Sequence, residues 1–303
     1  MSAALGSTTT PRILLTGVTG QVGWELQRTL APLGQVIPAD RNTLDLTQPD
    51  SIRAILREVN PHIIVNPAAY TAVDQAEKEP DRAFAINAEA PAVLAEEALR
   101  LGALLVHYST DYVFDGTKPE PYAEDDTPNP LGVYGKSKLA GEQAVRASDC
   151  RHLVFRTSWV YGMRGKNFLL TMLRLAKERE SLRIVDDQIG APTWSRLIAE
   201  ATALALGQLI SDPQRVEAAS GVFHLTAAGA TSWYGFAQEI FRLAHMQGLC
   251  RTPMLEPIPS EQYPVPAARP KNSRLDNKKL FRTFGLMLPA WHEGLAMCVD
   301  EAK

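Results

Sequence analysis

Cysteine, basic clusters and long apolar runs are what this 303-residue chain is short of. Its cysteines, Cys150, Cys250 and Cys298, are odd in number, far apart and in no metal-ligand spacing. They rule out a disulfide framework and read as reduced thiols of a cytoplasmic protein. The 31 basic and 34 acidic residues leave a net charge of −3 with no basic stripe, which argues against nucleic acid as a partner. No apolar run approaches the ~20 residues that span a bilayer, so no membrane partner is expected. His62, His107, His152, His224, His245 and His292 are scattered without a close pair and read as structural. Residues 1–11 are small and polar, lack the basic-then-apolar order of a signal peptide, and are expected to form a flexible leader.

What is present is a rhythm. Arg12 to Thr16 is a short apolar run that leads into Gly17-Val18-Thr19-Gly20-Gln21-Val22-Gly23 and then an amphipathic stretch through Leu33. Strand, glycine turn, helix is the context of a dinucleotide fingerprint, in which the backbone approaches a pyrophosphate at the helix N-terminus. The spacing is G-x-x-G-x-x-G; a glycine turn without a ligand is the bland alternative. A second strand ends at Asp40, where an acidic residue binds ribose hydroxyls, but Arg41 beside it suits a 2′-phosphate. NADH and NADPH are therefore both expected to bind.

Further apolar runs at 62–66, 104–108 and 153–156 alternate with helical segments at 51–59, 81–100 and 134–147. The pattern predicts an α/β fold: a Rossmann-type doubly wound parallel sheet over 12–160. Residues 161–303 read as a smaller mixed C-terminal substrate domain. It includes a strand at 222–225, a proline-rich extended loop over 253–270, and a helix near 194–209 that packs back on the sheet. Ligands in such sheets bind beyond the carboxyl ends of the strands. Ser109-Thr110-Asp111 falls at one such end, and Tyr134 with Lys138 follows on a helix. Four residues apart, Tyr134 and Lys138 share a helical face, and an ammonium there would lower the phenol's pKa. A hydroxyl, a phenol and an ammonium together can bind a carbonyl and pass it a proton.

The stretches GVTGQVGWELQ, VNPAAYTAVDQAE, YSTDYVFDG, VYGKSKLAGE, FRTSWVYG, DDQIGAPT and RPKNSRLD resemble the extended short-chain dehydrogenases/reductases, and within them the dTDP-4-dehydrorhamnose reductase family. The resemblance spans Arg12 to Ala302. It implies hydride delivery from a nicotinamide to the C4 carbonyl of a dTDP-4-dehydro sugar, the last step of dTDP-L-rhamnose biosynthesis. Tyr134 would then be the general acid, Lys138 would hold the nicotinamide ribose, and Thr110 would bind the carbonyl. Gly17, Gly20, Gln21, Val22 and Gly23 would serve the pyrophosphate, Asp40 the ribose, and Asp45 and Leu46 the adenine. Ala69, Tyr70 and Thr71 would border the nicotinamide. Asp111, Trp159, Gln188, Arg269, Asn272 and Ser273 would bind the dTDP-sugar. Some members form a homodimer bridged by magnesium on acidic residues. Glu25 fits that pattern, but Arg196 stands where an acid would be needed and argues against the metal. Two alternatives stay open: an epimerase or dehydratase of nucleotide sugars, and a non-catalytic NADP-binding subunit. A 4,6-dehydratase needs Asp-Glu after the threonine, where this chain has Asp111-Tyr112.

Overall fold

The computed structural model describes residues 10–301; residues 1–9 of the leader lie outside the described residues. Strands β1 (Arg12–Leu15), β2 (Gln35–Pro38), β3 (Ile63–Asn66), β4 (Leu104–Thr110), β5 (His152–Thr157) and β6 (Gly221–His224) form one six-stranded sheet. Its order is β2-β1-β3-β4-β5-β6, and every pairing is parallel. Side chains alternate across a strand, and both faces here are apolar. Ile13, Leu15, Ile63, Val65, Leu104, Val106, Leu153 and Phe155 face one way and meet Leu26 and Leu30 of the helix Gln21–Leu30. Ile198, Leu206 and Leu209 of the helix Ser195–Ser211 close the same layer. Leu14, Ile64, Leu105 and Val154 face the opposite way, onto the helices Pro49–Val59, Ala90–Leu101 and Val133–Ala147. Each such side chain, fully buried, contributes roughly 1.5–3 kcal/mol.

A separate cluster gathers Leu169, Met172, Ile184, Trp194, Phe236, Phe241, Leu295 and Val299. It is built from the helices Phe168–Glu178, Trp233–Met246 and Trp291–Asp300 and a two-stranded parallel ribbon, Ser181–Val185 with Met254–Ile258.

Three expectations are corrected. The run at 222–225, read with the C-terminal half, is the sheet's sixth strand, pairing with β5. The proline-rich segment is not wholly loop: Met254–Ile258 is a strand, and Pro257 is tolerated because the ribbon has only two strands, both edges. The helix expected over 81–100 is interrupted by a π turn at Ala85–Glu89. Pro91 has no N–H to return to the Asn87 carbonyl, and that carbonyl lies against Gly141, where a Cβ would come within 2.1 Å of it.

Candidate functional site

The chain reverses its direction of travel across the sheet between β1 and β3, which opens a crevice at their carboxyl ends. A cleft of about 600 Å³ lies there. Gly17 turns the chain with φ +57°, and a Cβ on Gly23 would lie 2.1 Å from the Gly17 oxygen, so this turn requires glycine at both ends. Gly20 caps the following helix without a side chain, which leaves first-turn N–H groups for an anionic ligand. Gly17, Gly20, Gln21, Val22, Gly23, Asp40, Asp45, Leu46, Ala69, Tyr70 and Thr71 all border the cleft, and so do Tyr134 and Lys138. A turn that only glycine can close, at an uncapped helix start, fits a dinucleotide pyrophosphate. Asp40 Oδ1 also caps its own turn, accepting from the N–H groups of Asn42 and Thr43. These bonds hold its carboxyl below the ordinary value.

The helix Val133–Ala147 is anchored at its start by Val133 N–H donating to Glu77 Oε1 at 2.8 Å. Gly135 lets it approach the Tyr112 carbonyl, where a Cβ would sit 2.2 Å away. Tyr134 meets the Tyr112 ring edge-on at 5.5 Å. Asn87 ties this helix to the loop after β3: it accepts from Tyr70 N–H at 2.8 Å and donates to the Tyr70 carbonyl and to Ser137 Oγ.

Lys138 does not pull the Tyr134 phenol down. Burial pushes that phenol well above its ordinary range, against the Thr110 hydroxyl, which favours the phenolate. Lys138 instead donates to the Tyr108 carbonyl at 2.6 Å, and burial lowers it to about 8. Its neighbour Glu142 is engaged by Arg156 at 2.7 Å.

Thr110, Asp111, Trp159, Gln188, Arg269, Asn272 and Ser273 stand outside the cleft lining. Thr110 donates to Asp111 Oδ1 at 2.9 Å. Burial pushes Asp111 up to about 6, while the Ser273 and Thr110 hydroxyls act the other way. Arg269 is held by Asp74 at 2.8 Å. Trp159, at φ +47°, stacks on Trp233 at 3.5 Å and packs on Gly190. Gln188 accepts from Trp233 Nε1 and donates to Ser260 Oγ. Asn272 spends its amide on the Lys118 and Glu120 carbonyls and on Arg274, which makes it a clip between loops.

A sequence model of the family described as "RmlD substrate binding domain" matches residues 11–303. The dTDP-4-dehydrorhamnose reductase of Burkholderia thailandensis is 51% identical, over 96% of this chain and 98% of its own. The chain belongs to the dTDP-4-dehydrorhamnose reductase family. The Escherichia coli K12 reductase is 47% identical, over 95% of this chain and 97% of its own. The crystal structure of the Bacillus anthracis reductase in complex with NADP has a TM-score of 0.87 at 39% identity, covering 97% of this chain and all of that one. A Thermus thermophilus UDP-glucose 4-epimerase at 20% identity and TM-score 0.78 shares the fold.

Against the magnesium bridge that the family resemblance raised, Arg196 donates to Glu25 Oε2 at 3.2 Å and also pairs with Glu301. Among the described residues, no group of three or more His, Cys, Asp or Glu could hold a metal. No helix among them is long and apolar enough to cross a membrane. Sequence reading missed several groups at the reductase cleft. Arg82 and Lys166 line it. Asn167 donates to Gln21 Oε1 at 2.8 Å, which draws the segment 162–167 over the glycine turn. For Lys166 and Asn167 the one signal was the basic stretch Arg164-Gly165-Lys166, whose distance in sequence hid its proximity in space.

Proposed function

We propose that the protein reduces the C4 keto group of dTDP-4-dehydro-β-L-rhamnose to dTDP-β-L-rhamnose, using NADPH or NADH. The observation that carries this is the convergence of Tyr134 and Lys138 on the cleft that the glycine turn builds, with Thr110 at the adjacent strand end. When bound, the nicotinamide supplies the hydride. Lys138 holds the cofactor ribose, and the Gly17–Gly23 turn and Lys166 hold the pyrophosphate. Thr110 orients the carbonyl. Tyr134 donates its proton to the oxygen on which negative charge develops, and a donor placed there lowers the barrier. Because burial holds the phenol protonated, Tyr134 is ready as an acid at neutral pH. Asp111 accepts from a sugar hydroxyl, and Arg269 forms charge-assisted bonds to the diphosphate. Trp159 and Gln188 shape the sugar side, and Asn272 and Ser273 set the loop that carries it. Residues 12–160 serve the cofactor and 161–303 mainly the sugar nucleotide, and the protein works in the cytoplasm with its cysteines free.

The test is oxidation of NADPH and of NADH with dTDP-4-dehydrorhamnose beside its UDP and GDP analogues. Turnover with the dTDP sugar is expected, and inactivity with all three overturns the assignment. Retention of NAD through purification, with no net oxidation, would instead favour an epimerase.

A further inference from the structure

A row of neutral buried groups runs beneath Lys138. The Thr16 hydroxyl donates to Asn66 Oδ1 at 2.6 Å, Asn66 Nδ2 lies 3.2 Å from His107 Nδ1, and His107 Nε2 lies 3.3 Å from Lys138 Nζ. Thr16, Asn66, His107 and Lys138 are all buried. Burial and the nearby Lys138 charge hold His107 well below its ordinary pKa, so the ring is neutral and carries a single proton.

Where that proton sits decides what Lys138 meets. With Asn66 Nδ2 donating to Nδ1, the proton is on Nε2 and points at Lys138, an arrangement that suits a neutral amine. With the amide turned, Asn66 Oδ1 accepts from Nδ1, and Nε2 becomes an acceptor for the ammonium. Thr16 serves both arrangements, because a hydroxyl donates to an amide oxygen and accepts from an amide nitrogen equally well. The ammonium, a donor only, thus has one matching tautomer and one matching amide orientation, whereas the neutral amine regains a lone pair that can accept from Nε2–H. The mismatched pair, the ammonium against Nε2–H, leaves two donors face to face in a buried site, which costs about 1–3 kcal/mol.

We propose that His107 is a positioning residue for Lys138, exchanging its ring tautomer with the lysine's charge so that Nζ stays in place in both forms. This rests on the reading of Lys138 as the residue that holds the cofactor ribose. The other groups around Lys138 are few: Tyr134 and Glu142 on its own helix, the Tyr108 carbonyl on β4, and Arg156 on β5 holding Glu142. None of them offers a proton site that switches in the same way. The strand ends therefore present the lysine to the cleft at constant geometry, and the cofactor meets the same N–H direction as long as the ammonium persists.

Nitrogen NMR of ring-labelled histidine in the intact protein reads the tautomer directly. The expected result is a His107 ring that stays neutral from about pH 6 to pH 9.5 and passes from the Nδ1–H to the Nε2–H form near the lysine's midpoint of about 8. In Lys138→Met the exchange should vanish. A single tautomer across the range, protonation to imidazolium, or an exchange that survives in Lys138→Met would each overturn the proposal. The wild-type titration decides alone if that variant does not fold. Equilibrium NADPH binding adds a second reading. His107→Leu should weaken it about tenfold, while His107→Gln, whose amide can also present either end to Lys138, should stay near wild type. Equal loss in both variants would leave His107 a packing residue only. None of these measurements uses the sugar substrate, so a wrong substrate assignment shows separately, as absence of turnover in wild type.

Discussion

Replacing Asp111 by asparagine should make the protein more stable and less active at neutral pH. Asp111 is 2% exposed, and burial lifts its carboxyl from 3.8 to about 6. A carboxyl that binds its proton more tightly folded than unfolded stabilises the fold only while protonated. That contribution is complete below pH 3.8 and is lost as pH rises through about 6. At 1.36 kcal/mol per pKa unit the loss amounts to about 3 kcal/mol. Asparagine keeps the shape and the oxygen that accepts from Thr110, and it carries no charge at any pH. Urea unfolding of wild type and Asp111→Asn near pH 4 and near pH 7.5 should show the variant gaining about 2.4 kcal/mol relative to wild type over that interval, since at pH 4 the unfolded carboxyl is already partly ionised. Parallel pH dependences would refute the claim that an ionised Asp111 is buried at neutral pH. In the same preparations kcat/KM should fall, because only the carboxylate offers both oxygens to a sugar hydroxyl. A stable and fully active Asp111→Asn would remove Asp111 from the site.

Tyr134→Phe keeps the ring that packs on Tyr112 but removes the proton donor, so turnover should drop about 10²–10⁴-fold with NADPH affinity unchanged. Near-normal turnover would end its role as the acid. A methyl on Gly190 would lie 2.5 Å from Trp159, whose ring already stacks on Trp233. Overpacking of this kind costs about 1–3 kcal/mol, and Gly190→Ala should raise KM for the sugar nucleotide several-fold. Gly248→Ala, at φ +70° with open space around it, should lower thermal stability without touching KM. A KM rise in both variants would mean that general destabilisation, not Trp159, is responsible. Because Arg196 already supplies the positive charge between Glu25 and Glu301, EDTA should change neither the turnover rate nor the sedimentation mass of the protein. A fall in either would point to a metal.

The first five sheet strands were legible because each is an apolar run closed by a turn residue, and in β1, β3, β4 and β5 burial on both faces leaves no other period to confuse them. β6 was legible as a strand but not as part of this sheet: Gly221–His224 looks like any short strand, and its partner β5 is distant in sequence. The π turn escaped because its cause, Pro91 meeting the close approach of Gly141, joins two helices. The cleft rim was legible for a local reason: Gly17 to Gly23 and Asp40 to Leu46 each shape one turn. The influences on the titrating groups were not. Tyr134 and Lys138 suggested a lowered phenol by spacing alone, whereas the desolvation that raises it comes from the surrounding fold. Asn272 looked like a ligand residue because its neighbours matched a motif, and only the folded loops show its amide already in use.

The return of Ser195–Ser211 and Gly221–His224 to the sheet has a consequence for how the chain is made. On a ribosome the first 160 residues emerge with β5 lacking its outer neighbour and with Leu26, Leu30, Leu153 and Phe155 uncovered. The nascent sheet cannot close until some 60 further residues have followed, several seconds of synthesis at ~5–20 residues per second. A stop codon near position 160 should therefore yield a product that aggregates, even though every residue of the glycine turn, Tyr134 and Lys138 is already in it.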